Sequence, residues 1–438
     1  MIVVLLYVVA VLVCLTLPPT LGRSSKDATK GCTAPYTLPD LPFFVVWNVP
    51  SDVCEAHGIN LNLTTYRIVT NKNDQFMGEN MVIFYGFGDW PSLQTSSNGG
   101  IPQEGNLPEH FRKATAVTNQ IIPDHKYTGL AVIDFESWRP HLPLNFGTLG
   151  NYKTKSVELV KKQHPTWTNT TQIMEEATRQ FDIAARNFLQ GSLQLGRQLR
   201  PNAHWGYYGY PRCWGSSTTN ECSNPGTSNT NDKYMGWLFS TSTGLYPRIY
   251  TNRKTPMHSR YLYVRQTVNE TLRVQAKWSG LNTPIMPYSL GQDNGTDFFK
   301  KDDLKVAIEE PAAMGASGVV IWGSHSFFKT KNECRMMQND INKVLGPFVK
   351  NLTDFTQACA NELCNNHGRC IRKDFEATTQ NFLRLYQKEA CVRPREEYGD
   401  TRDKRWTVFG DRYPRLKKYD YYVCRCLPGW SGEYCNKA

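Results

Sequence analysis

The sequence predicts an α/β fold, a (β/α) TIM-like barrel followed by a small C-terminal module held by disulfides. Short β-rich runs alternate with helical ones over roughly the first 350 residues, the order that a parallel sheet wrapped by helices requires. Seven of the twelve cysteines that follow residue 22 crowd into the last 80 residues. The 438-residue chain is 40% hydrophobic and 20% charged, enough apolar content for a full core, which excludes disorder, collagen and coiled coil. A doubly wound sheet is the competing architecture. It is disfavoured because neither GxGxxG nor GxxxxGK[ST] follows the first strand.

Residues 1–22 carry no charged side chain, and Ile2 to Leu17 is almost entirely apolar before Pro18-Pro19. That run is a signal-peptide core, too short to span a membrane. No later stretch approaches 18 apolar residues and the C-terminus is polar, so a secreted protein without a membrane anchor is expected. Barrel strands are predicted at Phe43–Val49, Met81–Tyr85, Gly129–Asp134, His204–Tyr210, Leu245–Tyr250, Ile285–Leu290 and Gly318–Gly323. The clearest helix is Thr170–Leu199, where Ile173, Ala177, Phe181, Ala184, Phe188, Leu195 and Leu199 recur at helical spacing. Further helices fit Leu107–Gln120, Tyr261–Lys277, Asp302–Met314 and Cys334–Ala360. The domain boundaries that follow are 1–22 for the signal, 23–350 for the barrel and 351–438 for the C-terminal module.

An even set of twelve cysteines in a secreted chain reads as six disulfides. No paired CxxC and no HExxH occurs, so neither a metal nor another cofactor is expected. The spacing Cys359-x4-Cys364-x5-Cys370, closed by Cys424-x-Cys426 and the Gly429-Trp430-x-Gly432-x-x-Cys435 ending, is that of an EGF-like module. It pairs Cys359–Cys370, Cys364–Cys424 and Cys426–Cys435. The charged and aromatic insert between Cys370 and Cys424 reads as a surface loop. Sequons at Asn62, Asn169, Asn269, Asn294 and Asn351 are candidate glycan sites. A net charge of +11 suits a polyanionic partner, and on the secretory side an acidic polysaccharide fits better than nucleic acid.

The run Gly129-Leu-Ala-Val-Ile-Asp134-Phe-Glu136-Ser-Trp138-Arg139-Pro140 is an apolar strand ending in two acids. Residues i and i+2 of a strand share a face about 6.6–6.8 Å apart, so Asp134 and Glu136 point together into the strand's C-terminal mouth. In a barrel that mouth is the active-site rim. Other strand ends are aromatic, at Tyr85, Trp205, Tyr207, Tyr208, Tyr210, Tyr246, Tyr288 and Trp322. Aromatic faces stack on the apolar face of a pyranose, and tyrosine hydroxyls bond its oxygens.

On the Gly129–Pro140 run, the Trp205-Gly-Tyr-Tyr208-Gly-Tyr-Pro segment, Leu245-Tyr246-Pro-x-Ile-Tyr250 and Gly318-Val-Val-Ile-Trp322, the chain resembles the hyaluronidases of glycoside hydrolase family 56. The resemblance runs from about residue 40 to 435. It implies a distorted barrel in which Glu136 is the proton donor and Asp134 its partner. It implies an N-acetylglucosamine subsite lined by Tyr208, Tyr246 and Trp322, with Tyr85 in the cleft and Arg139 beside the acids. It implies Cys54–Cys334 and Cys213–Cys222 pairs, leaving Cys32 and Cys391 unassigned, and the chain departs from the family pattern at His325. The implied activity is hydrolysis of hyaluronan by a secreted enzyme of the animal venom, sperm or tissue type, and a monomer is expected.

Hyaluronan's own acetamido group can attack the anomeric carbon, an exception to the two-carboxylate retaining mechanism. Glu136 then protonates the leaving oxygen and later deprotonates water. Asp134 orients the acetamido N–H, raises the Glu136 pKa by repulsion and balances the developing charge. Tyr246 bonds the acetamido carbonyl. Three readings compete. A chitinase-like site would need an acid where Val132 stands. A chondroitin-preferring hydrolase shares the linkage. An inactive hyaluronan-binding protein would have no need of both acids.

Overall fold

A computed structural model describes residues 41–214, 225–294, 297–324, 329–373, 419 and 421–438. The predicted signal, Cys32, Cys222, His325, Cys391 and most of the charged insert lie outside the described residues. The remainder belongs to one unit, Pro35–Ala438.

Eight consecutive segments supply the barrel wall. Strands β1 (Phe44–Asn48), β2 (Ile68–Val69), β3 (Met81–Phe84), β4 (Leu130–Ile133), β5 (His204–Tyr207) and β6 (Tyr288–Leu290) precede a short antiparallel hairpin, β7 (Gln292–Asn294) with β8 (Asp297–Phe298). β9 (Gly318–Trp322) completes the wall. Two parallel sheets result, β2-β1-β9-β6 and β3-β4-β5. The Leu245–Tyr250 segment links them through isolated parallel bridges, Tyr208 to Tyr246, Leu245 to Ile285 and Arg248 to Tyr288. It bridges without extending into a ladder because Pro247 lacks the N–H that a continuous strand would donate. On the opposite side the Asn71 side chain accepts from the Met81 N–H at 3.0 Å, tying the β2 edge to β3.

Strand alternation sorts the core into two layers. Leu130 and Val132 face the barrel interior with Phe44, Val46, Met81, Ile83 and Val320. Ala131 and Ile133 face outward to the helices, among them Thr170–Leu199, which buries Ile173, Ala177, Phe181, Ala185, Phe188 and Leu193. That helix begins where the Asn169 side chain accepts from the Thr171 and Gln172 N–H groups. Two helices escape the periodic reading, Asn151–Gln163 and Pro225–Thr241.

The helix Gly346–Cys364 leads from the barrel into a C-terminal ribbon, β10 (Gly368–Arg372) antiparallel to β11 (Tyr422–Cys426). Cys359, Cys364, Cys370, Tyr422 and Cys435 share an apolar cluster with Val45, Trp47 and Ile321 of the barrel. Disulfides form at Cys54–Cys334, Cys359–Cys370, Cys364–Cys424 and Cys426–Cys435. Cys213 is also disulfide-bonded. Among the described residues no helix is long and apolar enough to cross a membrane. The sequon residues Asn62, Asn169, Asn269 and Asn351 are exposed.

Candidate active site

Strand β4 delivers the two acids. Its ladder runs one step past Ile133, since the Asp134 N–H donates to the Phe84 carbonyl at 3.0 Å while the Ile133 carbonyl accepts from Tyr208 N–H at 3.0 Å. Phe135 turns outward into the helix layer, stacked on Trp90 at 4.1 Å and edge-on to Trp138 at 4.7 Å. With Phe135 anchored outside, Asp134 and Glu136 continue the interior face of Leu130 and Val132. Asp134 is half-buried and Glu136 exposed.

Burial, reinforced by the neighbouring Glu136 carboxylate, pushes the Asp134 carboxyl up to about 7. Asp134 sits where ionisation costs hydration, and the repulsion within the pair acts on it in the same direction. A pair of this kind holds at least one proton in mildly acidic solution.

Aromatic side chains surround the pair. Trp322, at the end of β9, donates its indole N–H to the Tyr85 hydroxyl at 2.9 Å, and Tyr85 stacks on Phe76 at 6.1 Å. Tyr85 is 54% exposed, so its ring face is open to solvent at the strand end. Tyr208 packs edge-on to Tyr288 at 5.1 Å, and burial pushes its hydroxyl up to about 12. Arg139 lines the same cavity as Glu136, its guanidinium donating to the Leu144 carbonyl at 2.5 Å and covering the Phe146 ring at 4.2 Å.

Tyr246 is not in the cleft. It is 0% exposed, and its hydroxyl donates to the His204 carbonyl at 2.5 Å. Its ring lies beside Gly206, where a Cβ would collide with the Gly244 carbonyl oxygen and meet the Tyr246 ring at 2.9 Å, so β5 can pass only as glycine. The cleft tyrosine is Tyr250, four residues or about 13 Å further along extended chain. Tyr250 stacks with Trp322 at 6.4 Å, lies 6.2 Å from Tyr208, and its side chain hydrogen-bonds that of Tyr208. The signal for it was present, because Tyr250 is the C-terminal residue of the predicted Leu245–Tyr250 strand and barrel sites gather at C-terminal ends. Tyr288, also read as a rim aromatic, is buried in the interior layer. Two residues that the sequence reading passed over, Arg212 and Arg248, border the cavity next to Glu136.

An acid pair on the C-terminal rim of a parallel barrel, walled by stacked aromatics, defines a glycoside hydrolase type of site. The family model described as hyaluronidase matches residues 32–438. A hyaluronidase of Conus purpurascens is 35% identical over 95% of this chain and 84% of its own length, and Hyaluronidase-1 of Homo sapiens is 33% identical over 94% and 95%. A crystal structure of bee venom hyaluronidase in complex with a hyaluronic acid tetramer superposes with a TM-score of 0.65 at 33% identity, covering 70% of this chain and 98% of that one. The chain therefore belongs to the hyaluronidase family, glycoside hydrolase family 56, and is an enzyme of that class.

Proposed function

We propose that the enzyme is secreted and hydrolyses hyaluronan at the β-1,4 bonds between N-acetylglucosamine and glucuronate, with retention and with the substrate's acetamido oxygen as nucleophile. The observation that carries this is the β4 terminus, which sends two carboxyls of unequal depth to one rim beside Tyr85, Tyr208, Tyr250 and Trp322. The exposed Glu136 donates its proton to the leaving oxygen as the acetamido oxygen bonds the anomeric carbon, and afterwards takes a proton from the water that opens the cyclic intermediate.

In the free enzyme the half-buried Asp134 retains a proton more readily than an ordinary carboxyl. Substrate alters that balance. Positive charge developing on the acetamido group favours ionised Asp134, so the pair's proton resides on Glu136, where donation needs it, and Asp134 accepts from the acetamido N–H. Tyr250 takes the role that the sequence reading gave to Tyr246, donating to the acetamido carbonyl. Trp322 and Tyr208 hold the hexosamine ring by stacking and hydroxyl contact.

Digestion of hyaluronan, chondroitin and chitin, scored by new reducing ends, tests the reading. Even-numbered products with N-acetylglucosamine at the reducing end, formed with β-configuration before mutarotation, are expected from hyaluronan. A faster reaction with chondroitin would replace the substrate, and an unsaturated uronate would replace hydrolysis with elimination.

A further inference from the structure

The cavity beside Glu136, about 440 Å³, holds an uneven charge. Glu136 is the one carboxylate among its described lining residues, against three guanidinium groups, Arg139, Arg212 and Arg248. The three come from separate segments, after β4, after β5 and from the bridging Leu245–Tyr250 run, so the barrel brings together what the sequence separates by more than 100 positions. Each is oriented by a neutral partner. Arg139 is held by the Leu144 carbonyl and the Phe146 ring. Arg212 lies over Trp214 at 5.6 Å and Arg248 over Tyr250 at 5.9 Å, with the Arg248 carbonyl accepting from the Tyr263 hydroxyl at 2.9 Å.

Among the described residues none of the three forms an ion pair with a protein carboxylate, whereas Arg253, Arg260, Arg265, Arg273 and Arg372 all do. The crowding is felt, because burial and then the nearby Arg212 make Arg139 a weaker base than a free guanidinium. Burial would weaken Arg248 as well, but the Tyr263 and Tyr208 hydroxyls and the Glu136 carboxylate hold it firmly protonated. The wall therefore carries more positive charge than its one carboxylate balances, and guanidinium groups match a further carboxylate with two parallel N–H donors.

We propose that Arg212 and Arg248, completed by Arg139, form a carboxylate-recognition subsite that binds the uronate adjacent to the cleaved hexosamine linkage. The inference rests on the hyaluronan reading above and deepens it. The aromatic cleft selects a sugar face, which chitin also offers, whereas the arginine wall selects the acid that only an alternating uronate polymer carries. The proximity of Arg248 to Glu136 links the two, since both line one cavity.

The test pairs enzyme variants with hyaluronan and with hyaluronan of the same length whose glucuronates have been reduced to glucose. Arg212→Gln and Arg248→Gln are each expected to raise KM for hyaluronan about 10- to 100-fold, the loss of a charge-assisted hydrogen bond, with kcat within about 3-fold. Arg248→Lys should recover part of the loss. On the carboxyl-reduced polymer, variants and parent should be equal. Equal losses on both polymers, or an unchanged KM, would overturn the subsite. Calorimetric binding of a hyaluronan octasaccharide to Glu136→Gln, with and without Arg248→Gln, separates the two readings. Arginine-dependent binding without turnover by the parent enzyme would remove the hydrolytic reading and leave the subsite standing. Binding indifferent to Arg248 removes the subsite. Thermal melts should match the parent, since neither arginine is ion-paired within the described fold.

Discussion

The barrel treats charge in opposite ways at its rim and along its flank. On the flank, Glu310 is buried between Arg265 at 2.5 Å and Arg372 of the C-terminal ribbon at 2.6 Å, and Asp303 is clasped by Arg253 and Arg260 at 2.8 Å each. Burial alone would raise Asp303, but the Arg253 hydrogen bond and its companions turn the net shift downward. Asp232 behaves alike, with bonds from Arg273, Lys277 and Trp278 outweighing burial and holding it at about 2. At the rim the same desolvation meets no cation partner, and Asp134 rises to about 7, while among the described residues Arg139, Arg212 and Arg248 line the neighbouring cavity with Glu136 as its one carboxylate. Buried charge that is neutralised is structure, and charge left uncompensated around a cavity is chemistry awaiting a substrate.

The largest effect that could break this contrast is at the rim. Glu136→Gln keeps shape but cannot donate a proton, so kcat should fall at least 10²–10⁴-fold while the melting curve stays that of the parent. Activity retained in that variant would remove Glu136 as acid. On the flank the reverse is expected. Glu310→Ala takes from Arg265 and Arg372 the buried carboxylate they share and should cost roughly 3–5 kcal/mol of stability, with kcat per folded molecule little changed. A denaturation series read beside active-site titration would show it, and an unshifted midpoint would mean that the pair contributes nothing.

The rim and the flank also differ in how their stability responds to pH. A carboxyl whose pKa is raised on folding lets the folded state bind more protons than the unfolded one between about 4 and 7, so stability falls as pH rises through that window. Asp134→Asn removes the penalty. It should lose most activity and yet stabilise the protein at pH 7 by roughly 1–4 kcal/mol relative to the parent, with no gain at pH 4. Urea midpoints at the two pH values decide it. A gain of equal size at both would deny that Asp134 folds against its own ionisation.

The sequence carried the rim better than the wall behind it. The β4 run was legible because alternation is strict there, with Val132 inward, Ile133 outward and the acids following in phase. Thr170–Leu199 was legible because its apolar row is long, and the module's disulfides because cysteine spacing is a geometric code. The helix Asn151–Gln163 was not, since it buries only Tyr152, Ser156 and Val160, one narrow row in a polar segment. Pro225–Thr241 contains Gly226 and Gly236 and has little apolar asymmetry. The arginine wall was illegible for another reason. Its members meet only in three dimensions, and no spacing along the chain announces that Arg139, Arg212 and Arg248 share a cavity.

The smallest expected effect sharpens the contrast inside a single segment, between Tyr246 and Tyr250. Both belong to one extended run, both carry a hydroxyl, and the resemblance pointed to Tyr246 as the one that serves the substrate. The fold separates them by depth. The Tyr246 hydroxyl is committed to the His204 carbonyl, so Tyr246→Phe should lower stability by about 1–3 kcal/mol, the cost of leaving a buried acceptor short of its donor, without altering kcat/KM of the folded enzyme. Tyr250 is half-buried beside Trp322 and Tyr208, so Tyr250→Phe should leave the melt unchanged and lower kcat/KM by roughly 2- to 13-fold, the worth of one hydrogen bond at the reacting sugar. Melting and steady-state kinetics on the two variants give a crossed pattern if depth decides the role. A kinetic loss in Tyr246→Phe with none in Tyr250→Phe would return the acetamido contact to Tyr246 and require the segment to shift when substrate binds.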